Sequence, residues 1–199
     1  MAASPKKDRN NRRQQILESL ARMLEQSPGG RITTAKLAKE VGVTEAALYR
    51  HFPSKGKMFE GLIEFVEESV FSRIHRVMQG EGTSLAKIEA ILKLVLVFAE
   101  KNPGICRILM GDALAGEKER LRTRVSQFFD RLDTQVKRIM REAAIREGKR
   151  PALVASKASN LLVATVEGRI HQFVRTEYAH SPLEGWEEQW GFLSSGLLV

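Results

Sequence analysis

Residues 33–57 read TTAKLAKEVGVTEAALYRHFPSKGK. Thr33 is placed to cap a helix through its side-chain oxygen. Leu37, Ala38 and Val41 then recur at helical spacing. Gly42 interrupts the run, as a residue that accepts positive φ at a helix end. Thr44 caps a second helix with Ala47 and Leu48 on its apolar side, Pro53 stops it, and Ser54 caps the next. Neither threonine has Glu or Gln at the third helical position, so there is no capping box. Two short helices across a glycine turn make a helix-turn-helix, whose second helix suits the major groove of DNA.

Charge agrees with that reading. The chain of 199 residues carries a formal net charge of +8. Residues 1–57 hold 12 Lys or Arg against 5 Asp or Glu, and residues 58–199 hold 20 against 19. A solubility device needs no such bias, whereas a head that neutralises phosphates does. At 43% hydrophobic, the chain can bury a core as one domain or as a small head on a larger body. No run approaches the ~18 apolar residues of a membrane span. The opening MAASPKKDRNNRRQQ lacks the apolar stretch of a signal peptide. The single cysteine, Cys106, fits a reducing cytoplasm and reads as buried filler rather than a nucleophile.

Outward from the motif, residues 1 to about 8 are expected to be disordered. A first helix follows from about Arg9 to Gln26, with Ile16, Leu17, Leu20, Met23 and Leu24 as its stripe. Arg9, Arg12 and Arg13 crowd its start, where cations oppose the helix dipole unless a phosphate lies near. Residues 27–30 form a loop, and Arg31 precedes the motif. On the recognition helix, Thr44, Glu45, Ala46, Ala47, Tyr49 and Arg50 are candidates to face the groove. Tyr49, His51 and Lys55 suit phosphates, although His51 also suits a core or helix-end position. A fourth helix runs from Ser54 to about Met78, and Lys55 and Lys57 at its start make an anion site.

On the fourth helix, Phe59, Leu62, Ile63, Val66, Val70, Ile74 and Val77 share one side, and Phe65 falls off it. On the fifth, Ser84 to Lys101, the main stripe is Leu85, Ile88, Ile91, Leu92, Val95 and Ala99, with Leu94, Val97 and Lys101 opposite. A groove edged by Arg73, Lys101 and Asn102 would suit an extended peptide with apolar anchors and acidic groups. Alternatively, Leu94 and Val97 pack beneath another helix.

A short sixth helix is expected over about residues 104–110, and residues 111–116 are irregular. A seventh spans about Glu117 to Glu147, its arginines interleaved with acids as on a solvated face. An eighth runs from about Ala152 to Tyr178 and a ninth from Pro182, holding Trp186, Trp190, Phe192 and Leu193. Their long apolar stripes exceed the needs of a small body and suit a four-helix dimer interface.

The stretch TTAKLAKEVGVTEAALYRHFPSKGKMFEGLI, residues 33–63, resembles the DNA-binding head of TetR-type regulators. The segment NPGICRILMGDAL, residues 102–114, and the overall spacing resemble one branch, the SlmA family of nucleoid occlusion factors, from about Arg9 to about Trp190. The resemblance implies an all-α fold of about nine helices. A DNA-binding helix-turn-helix head over 1–53 would sit on a helical body over 54–199 for dimerisation and partner binding. It implies DNA contacts at Arg9, Arg13, Arg31, Thr33, Thr34, Thr44, Ala46, Ala47, Tyr49, Arg50, His51 and Lys55. It also implies that the C-terminal tail of the tubulin-like division protein FtsZ binds at Phe65, Arg73, Leu94, Val97, Lys101 and Asn102. The expected function is inhibition of FtsZ ring assembly over the chromosome by a DNA-bound homodimer in the cytoplasm, at the nucleoid.

A ligand-released transcriptional repressor is the competing expectation. It needs a closed apolar pocket with convergent polar groups, and Thr165 and Glu167 are the few polar residues on the body's stripes. No cofactor or metal is expected, and no catalysis. His51, His75, His171 and His180 are scattered, and HExxH, P-loop, GxSxG and dinucleotide fingerprints are missing.

Overall fold

A computed structural model describes residues 5–27, 30, 32–117 and 119–199, without the side chains of residues 5–10. Among the described residues there are nine α-helices and no strand. The first helix, α1 (Pro5–Gln26), starts before the expected Arg9. The expectation of disorder therefore fails for residues 5–8, and for residues 1–4 it lies outside the described residues. Pro5 explains the early start: its fixed φ suits the first helical position, and it lacks the N–H that would go unpaired there.

The three caps form as the side chains dictate. Thr33 accepts from Lys36 N at the head of α2 (Thr34–Val41). Thr44 accepts from Ala47 N at the head of α3 (Glu45–His51). Ser54 accepts from Lys57 N at the head of α4 (Lys55–Gln79). Gly42 takes φ 73° between α2 and α3, where its amide returns to Lys39 O. Leu37, Ala38, Leu48 and Phe52 from the motif join Ile16, Leu17, Leu20 and Leu24 of α1 in the core. Gly61 lets α4 close on this head: a Cβ there would sit 3.1 Å from Leu17 Cδ2 and 3.2 Å from Phe52 Cε1.

The body adds α5 (Ser84–Lys101), α6 (Pro103–Leu109), α7 (Glu119–Arg146), α8 (Ala155–Arg175) and α9 (Trp186–Ser195). A 3-10 turn, Asp112–Leu114, lies in the stretch expected to be irregular. α5 is central and touches α4, α6, α7 and α8. Besides most of its expected stripe it buries Leu96 and Phe98, while Leu85 is half-buried. The helix ends shift for local reasons. α8 stops at Arg175 because Glu177 and Tyr178 take φ 50° and 69°. α9 starts at Trp186, not Pro182, because a turn ends on Gly185 at φ 64°.

Two further expectations are corrected. The α7 arginines are not merely a solvated face. Arg124 pairs with Glu67 at 2.7 Å and Glu64 at 3.3 Å, and Arg120 pairs with Glu60. Glu60, Glu64 and Glu67 recur at helical spacing, which lines them up against α7. Arg131 lies 3.8 Å over the Phe71 ring. The two tryptophans do not serve a dimer face either. Trp186 and Trp190 stack at 6.0 Å and are buried within the protomer. Leu197 and Leu198 are also buried; Leu198 lies in an antiparallel bridge to Pro151, and Arg150 and Val199 exchange backbone hydrogen bonds. No described helix is long and apolar enough to cross a membrane.

Candidate DNA interface and partner groove

The recognition helix presents an open face. Thr44, Glu45, Ala46, Tyr49 and Arg50 are exposed, and Ala47 is half-buried. Its angle on α2 is fixed by two hydrogen bonds. Thr34 Oγ1 donates to Glu45 Oε2 at 2.8 Å and accepts from the Tyr49 hydroxyl at 3.3 Å. Thr34 and Tyr49 are therefore braces within the motif, a role their spacing in sequence did not reveal. Glu45 also lies in the first turn of α3, where an acid complements the helix dipole.

The cations expected at the phosphates divide into two sets. Arg50 and Arg12 are exposed, and so are Lys36 and Lys39 on α2, which the sequence reading passed over. Arg13, Lys55 and Lys57 already touch the chain itself. The Arg13 guanidinium stands 4.3 Å over the Phe52 ring, donates to His51 O at 3.5 Å and lies 3.9 Å from Glu64. Lys55 pairs with Glu117 at 2.9 Å and stacks on Phe59, and Lys57 pairs with Glu60 at 2.6 Å. The expected anion site at the start of α4 is thus met by the protein's own carboxylates. His51 is half-buried at the end of α3. Arg31 and the side chain of Arg9 lie outside the described residues.

The six groove residues lie on α4, on α5 and at its C-cap. Phe65 is 37% exposed, and its ring meets Phe98 of α5 at 6.2 Å. Arg73 is exposed, and its Nη1 donates to Ser69 O one turn back. Leu94 and Val97 are half-buried, between the two alternatives of groove wall and covered core. Lys101 is exposed, and Asn102 donates from Nδ2 to Phe98 O at 2.7 Å, ending α5 and starting α6. Phe98, which belongs to neither stripe of the helical wheel, is buried beside Phe65. Cys106 is fully buried, its thiol pushed up to about 12 by that burial, so it is chemically quiet.

A second apolar surface lies on α8 and α9. Leu161 is 50% exposed and Phe192 82% exposed, and Thr165 lines a cleft with Phe192 and Leu193. On α8, Ala158, Leu162, Val166, Ile170 and Phe173 are consumed by the protomer core. Thr165, one of the polar residues a ligand site would use, opens on this surface cleft. No group of His, Cys, Asp and Glu among the described residues could hold a metal.

Comparisons with known proteins agree with this geometry. Residues 16–62 match the family of bacterial regulatory proteins named tetR, and residues 82–198 match a SlmA-like form of the tetracyclin repressor-like C-terminal domain. The chain is 59% identical to the nucleoid occlusion factor SlmA of Marinomonas sp. (strain MWYL1), over 96% of this chain and 97% of that protein. It is 58% identical to the SlmA of Shewanella pealeana, over 100% of this chain and 99% of that one. A TetR transcriptional regulator from Chloroflexus aurantiacus superposes with a TM-score of 0.78 at 21% identity, covering 97% of this chain and 99% of its own. The fatty acid degradation regulator FadR from Bacillus halodurans gives 0.79 at 14%, covering 99% and 98%. These two structures share the fold.

Proposed function

The chain belongs to the SlmA family of TetR-type regulators, and from that premise we propose that it is a nucleoid occlusion factor whose DNA-bound dimer acts on FtsZ. The head over 1–53 reads duplex DNA through Thr33, Thr44, Ala46, Ala47 and Arg50, with Thr34 and Tyr49 holding the recognition helix. Arg9, Arg13, Arg31, His51 and Lys55 meet phosphates, and Arg13 and Lys55 do so by exchanging a carboxylate for a phosphate oxygen. Two copies pair through the exposed face of α8 and α9, around Leu161 and Phe192, so that two heads meet a near-palindromic site. This places the protein at the nucleoid. As a regulator it carries out no catalysis.

The C-terminal tail of FtsZ lies along α4 and α5, its apolar side chains on Phe65, Leu94 and Val97 and its acids toward Arg73 and Lys101, with Asn102 at the end. The observation that supports this most is the exposed Phe65 on a Phe98 floor beside exposed cations. α4 carries that surface and also closes the head through Gly61, so DNA that favours one setting of α4 alters the groove. The test is fluorescence anisotropy with a labelled FtsZ tail peptide. Lys101→Asp and Arg73→Asp should abolish peptide binding and leave mobility shifts on DNA intact. Equal loss of both activities would mean that these residues only hold the fold.

A further inference from the structure

The segment NPGICRILMGDAL, residues 102–114, marks the branch in sequence, yet the proposed function uses only its Asn102. The structure shows what the rest does. Pro103 begins α6, and Gly104 passes directly under the backbone of α1. Arg107 is 2% exposed. Its Nη1 donates to the carbonyls of Leu24 at 2.9 Å and Ser27 at 2.6 Å, and its Nε to Asp112 Oδ2 at 2.5 Å. Those carbonyls belong to the open C-terminal end of α1, the negative pole of its dipole. A body residue therefore caps a head helix, 80 positions away in sequence.

A buried charge is a poor device for stability alone, because well-packed apolar groups of similar volume often serve as well or better. Its value lies in direction. The planar fork accepts one arrangement of carbonyls and carboxylate and rejects shifted ones. The chain leaves α1 at these same carbonyls and runs to Ile32 and α2, so what fixes Ser27 O fixes where the helix-turn-helix hangs on the body.

We infer that Arg107, held by Asp112, is a positioning residue that sets the angle of the DNA-binding head on the body and so the half-site spacing the dimer accepts. The inference rests on the DNA-binding reading above. Arg107 touches no DNA; it acts through α1. Asn102 stands at the N-cap of α6, so the same short helix joins the head to the end of the proposed partner groove.

The experiment compares the wild type with Arg107→Met and Arg107→Lys on two duplexes. One is a palindrome selected by the wild type from a random pool; the other carries one extra base pair between half-sites. That insertion displaces one half-site by about 3.4 Å and turns it by about 34°. The wild type should prefer the native spacing by about tenfold or more, and Arg107→Met should cut the ratio to within about threefold. Arg107→Lys keeps the charge without the fork and should fall between, and it serves if the methionine variant does not fold. A merely structural role would weaken both duplexes together and leave the ratio at the wild-type value, which would overturn the inference. Hydrogen exchange provides a readout without DNA. Amides in the last turn of α1 and at Ile32 should lose protection in both variants while α8 keeps its own, and unchanged protection there would also overturn the inference. A wild type that selects no duplex defeats the DNA reading itself, and exchange then decides the latch alone.

Discussion

Gly104→Ala should damage this protein more than any other glycine-to-alanine change in a helix. An added Cβ would stand 2.0 Å from Ala21 O and 2.8 Å from Glu25 N. Both atoms are α1 backbone, so no side chain can swing aside. Normal contact requires α1 and α6 to separate by about 1 Å or more, in a core where such gaps forfeit much of the dispersion energy. Overpacking typically costs about 1–3 kcal/mol, and a rigid neighbour puts this case near the top. Alanine recovers under about 1 kcal/mol of helix propensity, less at the second residue of a short helix. The net loss is about 2 kcal/mol, which for a chain of this size lowers Tm by roughly 4–8 °C. Gly61→Ala is the control: its Cβ would meet the ends of the Leu17 and Phe52 side chains at 3.1 and 3.2 Å, which can yield. Calorimetry and urea denaturation should rank Gly104→Ala well below Gly61→Ala and the wild type. Unchanged melting of Gly104→Ala, or a greater loss for Gly61→Ala, would refute the close crossing of α1 and α6.

Thr33→Ala removes the cap on Lys36 N and should cost about 1 kcal/mol at α2. Mobility shifts at moderate salt should weaken while far-UV circular dichroism stays constant; unaltered shifts would put DNA elsewhere. Phe192→Asp places a charge on the most exposed part of the α8 and α9 face and should yield monomers by sedimentation, with DNA affinity lost. A persistent dimer would exclude that face. Glu147 Oε1 accepts from Ser84 N at 2.7 Å and Ser84 Oγ at 2.6 Å, and these bonds hold its carboxyl below the usual 4.5. A depressed folded pKa gives stability that is present above the unfolded value and lost as pH falls through the folded one. Glu147→Gln should therefore flatten the fall in urea midpoint between about pH 5 and pH 3; a slope equal to the wild type's would remove Glu147 from the acid response.

The head was legible because each of its signals is local. Thr33, Thr44 and Ser54 can cap only the turn immediately after them, and Gly42 can turn only where it stands. The stripes of α1 and α4 are legible for the same reason, since periodicity survives without knowledge of the neighbour. What escaped was set by pairing across the chain. Thr34 and Tyr49, expected as DNA contacts, also brace the motif, because the Tyr49 hydroxyl donates to Thr34 and Thr34 donates to Glu45. Lys55, expected at a phosphate, also pairs with Glu117, which lies far along the chain. Phe98 belongs to neither stripe of a two-sided helical wheel, yet it is buried because α5 is touched by α4, α6, α7 and α8. Trp186 and Trp190 are buried in the protomer, and no rule in sequence says which large side chains a protomer keeps for itself. Arg107 and its partner Asp112 stand inside a recognised segment, but the other partners of Arg107 are backbone carbonyls of Leu24 and Ser27, which carry no sequence signal.

The central claim is that DNA on the head licenses action by the groove. Light scattering of FtsZ assembly tests it most directly, run with the protein alone, with its selected duplex, and with the Lys101→Asp variant plus that duplex. Assembly should be suppressed strongly only by wild type with duplex. Suppression that ignores the duplex, or that survives Lys101→Asp, would contradict the claim.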